Sequence, residues 1–312
     1  MMPTALYQTP ALKKLTGPVL RPGGLELTRE SVMKSHLSPG DKVLDVGCGS
    51  GAAGDMLNKE FALNCVGIDV DLDLFASATK MPAARAYAQA LPFKSNSLKA
   101  VFCECVLSLT PDMGATLGEF YRVLAPGGQL ILCDVYLRNK AHVHKIKEMP
   151  LACGFRKGMG KTDIHEHVAY TGFQEMVWED LSYLLTQLAG QAIFEHGSLE
   201  HFWARVFGGE CKASGRACDA IRASRPGYFR IIARKPGIRI RSTRGSLLEN
   251  KTPGQAKAEP PPRRAIGTGQ LSCPQFRAGP GGGGIIPFGS ASTTLYLLCP
   301  KGHVRYKEEK ND

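Results

Sequence analysis

Asp45 closes an apolar, valine-bearing run, and Gly47, Gly49 and Gly51 follow it at alternate positions. Val43-Leu44-Asp45-Val46 reads as a buried strand, and the glycines as a tight turn with a helix starting near Ala52. Glycines have no Cβ, so a ligand can lie directly against the backbone of such a turn. The spacing is not the dinucleotide G-x-G-x-x-G, nor a phosphate loop, since no Gly-Lys-Ser/Thr follows. The helix beyond offers free N–H groups and the positive end of its dipole to an anionic group such as a carboxylate. Asp69 ends a second strand, Asn64–Asp69, where a carboxylate of a doubly wound sheet can accept both hydroxyls of a ribose. Asp69 could instead cap a helix over Leu72–Thr79, a role open to Asp71 as well.

Thiols form the second chemical group. Cys103 and Cys105 bracket the end of a fourth strand, Ala100–Glu104, and face one side while that strand stays regular. Cys48 lies inside the glycine turn as a small residue beside the ligand, and Cys133 reads as core on a fifth strand. His142, His144, His165 and His167 are candidates for a general base. His165 and His167 are two apart on an expected helix, so they do not share a face and form no metal pair. Cys299 and His303 supply at most half a zinc site.

The elements that must position these groups alternate. Strands are expected at 43–46, 64–69, 84–88, 100–104, 129–134, 173–179 and 227–234. Helices are expected over Glu30–His36 (capped by Thr28), Ala52–Lys59, Leu72–Thr79, Asp112–Leu124 and Ile164–Gly172, with an amphipathic stretch over Leu181–Phe207. Residues 135–149 read as polar and irregular, and residues 1–20 as an N-terminal arm without a clear period. The alternation implies an α/β fold, a parallel sheet wrapped on both faces.

Residues 41–138 resemble the methyltransferase type 11 core of the class I S-adenosylmethionine-dependent methyltransferases. The motifs that carry the resemblance are Asp45–Gly51, Gly67-Ile68-Asp69, Ala90-Leu91-Pro92-Phe93, Ser97-Leu98-Lys99-Ala100-Val101 and Arg122-Val123-Leu124-Ala125-Pro126-Gly127-Gly128, in order. The resemblance implies a doubly wound, Rossmann-like seven-stranded sheet of order 3-2-1-4-5-7-6 with its last strand antiparallel. It implies S-adenosylmethionine across the C-terminal ends of strands one, two and four, among Asp45, Gly47, Cys48, Gly49, Gly51, Asp69, Val70, Ala88, Gln89 and Cys103. The family's adenine-contacting acid corresponds here to Tyr87, so that contact must come from elsewhere. Lys99 replaces the Asp of the usual Ser-Phe-Asp.

Cys105-Val106-Leu107-Ser108-Leu109-Thr110-Pro111-Asp112 also resembles a segment of arsenite methyltransferases, and Cys153-Gly154 stands where those enzymes carry a second cysteine. The resemblance implies that Cys105 and Cys153 bind the methyl acceptor, which could be a thiol-bound metalloid. The chain lacks that family's Gly-Cys-Gly turn, having Pro22-Gly23-Gly24 instead.

The chain has 312 residues, 43% of them hydrophobic, and no stretch that reads as a signal peptide or a spanning helix. Ten cysteines scattered through it imply reduced cytoplasmic thiols. The net charge of +11 is concentrated in residues 238–312, with 12 Lys/Arg against 5 Asp/Glu, which argues against a nucleic-acid-binding domain. Those residues hold 11 Gly and 8 Pro, too many to build a core, and read as a disordered basic tail after a methyltransferase domain at 21–237. The reading is a cytoplasmic methyltransferase with a small-molecule acceptor, no membrane and an oligomeric state the sequence leaves open. The alternative is a non-catalytic S-adenosylmethionine-binding partner or metalloid carrier.

Overall fold

A computed structural model describes residues 6–17, 19–75, 79–148, 153–209 and 211–237. The C-terminal segment read as a tail, with Cys299 and His303, lies outside the described residues.

From the N-terminus run α1 (Pro10–Thr16), α2 (Gly24–Met33), β1 (Lys42–Val46), α3 (Ala52–Phe61), β2 (Asn64–Asp69), β3 (Ala83–Arg85), β4 (Leu98–Glu104) and α4 (Met113–Val123). There follow β5 (Leu124–Leu137), α5 (Val143–Lys147), α6 (Lys161–Tyr170), β6 (Gln174–Asp180), α7 (Ser182–His196), α8 (Leu199–Val206), α9 (Cys211–Ser224) and β7 (Pro226–Arg234). The seven strands form one sheet in the order β3-β2-β1-β4-β5-β7-β6, with β7 antiparallel to both of its neighbours. This is the doubly wound order expected. Crossing from β1 to β4 reverses the direction in which strands are added, and such a switch point leaves a crevice at the carboxyl ends of the strands.

Strand alternation sorts the core onto two faces. Leu44, Val46, Val101 and Leu132 pack on one face with Leu117 and Phe120 of α4. Val43, Phe102 and Ile131 pack on the other with Met56 and Leu57 of α3. A third cluster lies in the helices: Leu12 and Leu15 of α1 bury with Ala192 of α7, Phe202 and Trp203 of α8, and Ala217 and Ile221 of α9. The N-terminal arm is therefore partly a packed helix, with the Thr9 hydroxyl accepting from the Leu12 N–H as its cap.

Four local expectations are corrected. Helix α2 starts at Gly24 behind a left-handed Gly23, and Thr28 lies inside it rather than capping it. The Thr28 hydroxyl donates instead to Glu104 Oε2 at 2.9 Å, a contact across 76 residues that no local pattern encodes. Strand β3 ends at Arg85, so Tyr87, Ala88 and Gln89 fall in the turn beyond it. Residues 72–75 form a turn, not the first turn of a helix. Strand β5 continues to Leu137 because β7 pairs with it from Gln129↔Arg234 to Leu137↔Pro226.

Candidate active site

The ends of β1, β2, β4 and β5 define the site. Beyond β1 the glycine turn has Gly47, Gly49 and Gly51 at positive φ. A Cβ on Gly47 would come within 2.3 Å of Val106 Cγ2, whereas a Cβ on Gly49 would meet nothing within 4 Å. Gly49 thus opens onto free space. Its N–H donates to Asp69 Oδ2 at 2.9 Å, tying the turn to the end of β2, and Asp69 Oδ1 accepts from the Asp71 N–H at 3.0 Å.

The field at this crevice is negative. Asp45 is 4% exposed, and its Oδ2 is buried with no hydrogen-bond partner. Burial first, then Glu104 and Asp69, push its carboxyl up to about 7, against the pull of Arg21 and a hydrogen bond from the Gly54 N–H. Glu104 at the end of β4 forms a buried ion pair with Arg21, Nη2 to Oε2 at 2.7 Å, while its Oε1 is left without a partner. Arg21 also donates to Gly24 O at 2.6 Å and to the Thr28 hydroxyl. One guanidinium therefore faces Glu104 and the more distant Asp45.

Cys103 and Cys105 do not share a face. Cys105 takes a left-handed conformation (φ 60°), which ends the alternation. Cys103 is left fully buried in the core, and its thiol is pushed up chiefly by that burial. Cys105 points instead toward β7, with Sγ 3.4 Å from the Tyr228 hydroxyl, and burial raises its thiol too. Cys48 packs beside Gly67, where an added Cβ would lie 2.7 Å from its sulfur, and its thiol is pushed up to about 12, mainly by burial. Val70 is exposed and Ala88 buried on the same side of the crevice as β3, and Tyr87 is 68% exposed.

Past the strand ends lies a cavity of about 180 Å³ roofed by the helices. Cys105 and Cys153 both line it, so the structure brings the two expected acceptor thiols to one space. Cys153 is buried and its thiol is pushed up to about 11 by burial. No group of three or more His, Cys, Asp or Glu side chains able to hold a metal ion occurs among the described residues. The four candidate histidines lie elsewhere: His142 and His144 belong to α5 and its cap, and His165 and His167 to α6.

The sequence reading missed Tyr7, Arg21 and Asp134, all of which line this cavity. Asp134 follows the β5 residue that pairs with Glu104, just past the end of the parallel β4–β5 ladder, and an acid after the apolar run of a strand was a legible signal. Its oxygens accept from the Ser108 N–H at 2.8 Å and the Val135 N–H at 2.7 Å, and burial pushes its carboxyl up to about 6. Tyr7 had no such signal. Its hydroxyl is raised by burial and by Asp69 and Asp71, so the N-terminal segment reaches from the β2 end to the cavity.

A family model described as a methyltransferase domain matches residues 44–132. The uncharacterized methyltransferase YodH of Bacillus subtilis is 31% identical over 162 residues, covering 49% of this chain and 69% of YodH. The chain belongs to the class I S-adenosylmethionine-dependent methyltransferases. Phosphoethanolamine N-methyltransferase 1 of Arabidopsis thaliana is 27% identical over 172 residues, 51% of this methyltransferase, which matches only 34% of the plant protein's length. The fold is also that of Haemonchus contortus phosphoethanolamine N-methyltransferase 2, solved with phosphomonomethylethanolamine and S-adenosylhomocysteine. The TM-score is 0.58 at 18% identity, covering 72% of this chain and 56% of the nematode chain. No helix among the described residues is long and apolar enough to cross a membrane.

Proposed function

We propose that this chain transfers the methyl group of S-adenosylmethionine to a small organic molecule held in the helix-roofed cavity. The observation that carries the reading is the open space over Gly49, set beside the unpartnered Asp45 Oδ2 and the Asp69 carboxylate. S-adenosylmethionine has a sulfonium and an ammonium against one carboxylate, so a pocket with more acids than bases suits its net positive charge. Asp69 retains lone pairs for the ribose hydroxyls while it holds the Gly49 N–H. Val70, Ala88 and Gln89 would border the adenine, and Cys48 would pack beneath the turn. Cys103 is withdrawn from the contact set, because it is fully buried in the sheet core.

When bound, the cofactor supplies an electrophilic methyl group. The protein aligns the acceptor with it and keeps water out, an effect worth several kcal/mol where the geometry is near-attack. The apolar roof over the cavity serves that exclusion.

A thiol-bound metalloid acceptor is not favoured. Holding one would require both thiols as thiolates, and burial disfavours the charged form of each. The two cysteines are better explained as neutral thiols in the cavity wall, since burial raises both.

The test uses Gly49→Asn. Asn tolerates the left-handed backbone found at Gly49 (φ 52°), and its side chain enters open space. The variant should melt like wild type while calorimetric affinity for S-adenosylhomocysteine falls at least tenfold. Unchanged affinity in the folded variant overturns the placement of the cofactor.

A further inference from the structure

The cavity wall is made of carbon. Leu12 and Leu15 of α1, Leu188 of α7 and Phe202 and Trp203 of α8 face it, together with Phe155 from the loop before α6. Each polar group among its described lining residues at the strand ends is already engaged. Arg21 is bound to Glu104, Gly24 O and Thr28, and Asp134 holds the Ser108 and Val135 N–H groups. Arg21 is the sole permanent cation in the described lining, and its charge is already met by Glu104. A phosphate placed here would lose its hydration and gain no unpaired cation, at a cost of several kcal/mol per ion. An apolar ligand would exchange water contact for close packing.

Size narrows the class further. An apolar protein cavity of about 150 Å³ takes up benzene, so about 180 Å³ accommodates one substituted ring. We propose that the acceptor of this methyltransferase is an uncharged, largely apolar molecule of single-ring size, and that phosphate-bearing amines are excluded. The proposal rests on the reading of this cavity as the acceptor site. It separates the chain from the phosphobase named in its plant and nematode relatives. Tyr7, only partly buried, is the group left to meet a single polar substituent on such a ring.

The experiment is calorimetry on the full chain with 4-ethylphenol, with phosphoethanolamine and, separately, with S-adenosylhomocysteine. 4-Ethylphenol should bind with a negative heat-capacity change, the mark of apolar burial, and phosphoethanolamine should bind at least a hundredfold more weakly. Ala189→Phe, which fills the cavity from α7, should weaken 4-ethylphenol at least tenfold and leave S-adenosylhomocysteine unchanged. Where that variant does not fold, the comparison of the two probes on wild type still decides. Phosphoethanolamine binding as well as or better than 4-ethylphenol overturns the proposal, as does failure of 4-ethylphenol to bind protein that takes up S-adenosylhomocysteine. Failure of S-adenosylhomocysteine alone overturns the cofactor reading and leaves the character of the cavity standing.

Discussion

The Gly49 N–H donates to Asp69 Oδ2 at 2.9 Å, so one carboxylate both fixes the glycine turn and faces the space that turn leaves open. Asp69→Ala removes that tether together with the acceptors for two ribose hydroxyls. Hydrogen bonds to charged groups contribute about 1.5–3 kcal/mol each. Affinity for S-adenosylhomocysteine should therefore fall at least tenfold in calorimetry. A folded Asp69→Ala protein that binds like wild type would remove Asp69 from the site.

The buried Asp45, whose Oδ2 has no hydrogen-bond partner, predicts a pH dependence of stability. Its folded-state carboxyl is raised to about 7 by burial, Glu104 and Asp69, with Arg21 and the Gly54 N–H pulling the other way. Between about pH 4 and 7 the folded chain holds a proton that the unfolded chain has released. Stability from this group is thus full at low pH and is lost as pH rises to the folded value. A shift of about three units corresponds to about 4 kcal/mol. The ligand-free protein should melt lower at pH 8 than at pH 5, and Asp45→Asn should shrink that difference, leaving the part contributed by Asp134, which burial raises to about 6. Parallel melting curves for the two proteins across this range would refute it.

Arg21 and Glu104 join the segment before α2 to the end of β4, with side chains 6% and 4% exposed. Removing one partner of a buried pair costs about 3–5 kcal/mol because a charge is left without its counterpart. Arg21→Met strands Glu104 beside Asp45 and should lose stability in that range in urea unfolding. The double variant Arg21→Met/Glu104→Gln should recover part of it. A loss below about 1 kcal/mol, within the range of surface pairs, would show that the pair is solvated.

How much of this was readable in the sequence depended on the range of the interaction. Asn64–Asp69 was legible to the residue because a short apolar run ending in an acid has few alternatives. The alternation of elements gave a parallel sheet, and its strand order came only with the family resemblance that the motifs between Asp45 and Gly128 carry. Thr28 was misread because Ser or Thr ahead of an apolar run signals a cap, while its hydroxyl is committed to Glu104 on another element. The shared face expected of Cys103 and Cys105 held only while the strand stayed regular, and Cys105 turns left-handed just past its end. The acceptor cavity was the least legible part. Its wall joins Leu12, Cys105, Leu188 and Trp203, residues on four separate segments with no common period.

That wall makes the N-terminal segment a cover for the site, which gives the last prediction. Leu12 and Leu15 are 7% and 5% exposed, bury against the roof cluster and line the cavity that Cys105 and Cys153 also line. Leu-to-Ala changes at buried sites cost about 2–5 kcal/mol. Leu12→Ala/Leu15→Ala should therefore lower the melting temperature and loosen α1 before the sheet unfolds. Labelling by N-ethylmaleimide under native conditions reads that opening directly, because the buried Cys153 and the half-buried Cys105, both neutral thiols, react faster as their cover opens. Cys105 and Cys153 should label several-fold faster in the double variant, while Cys103, in the sheet core, should stay protected. Equal rates at Cys105 and Cys153 in both proteins would show that α1 covers neither thiol, and the cavity would then be closed by α7 and α8 alone.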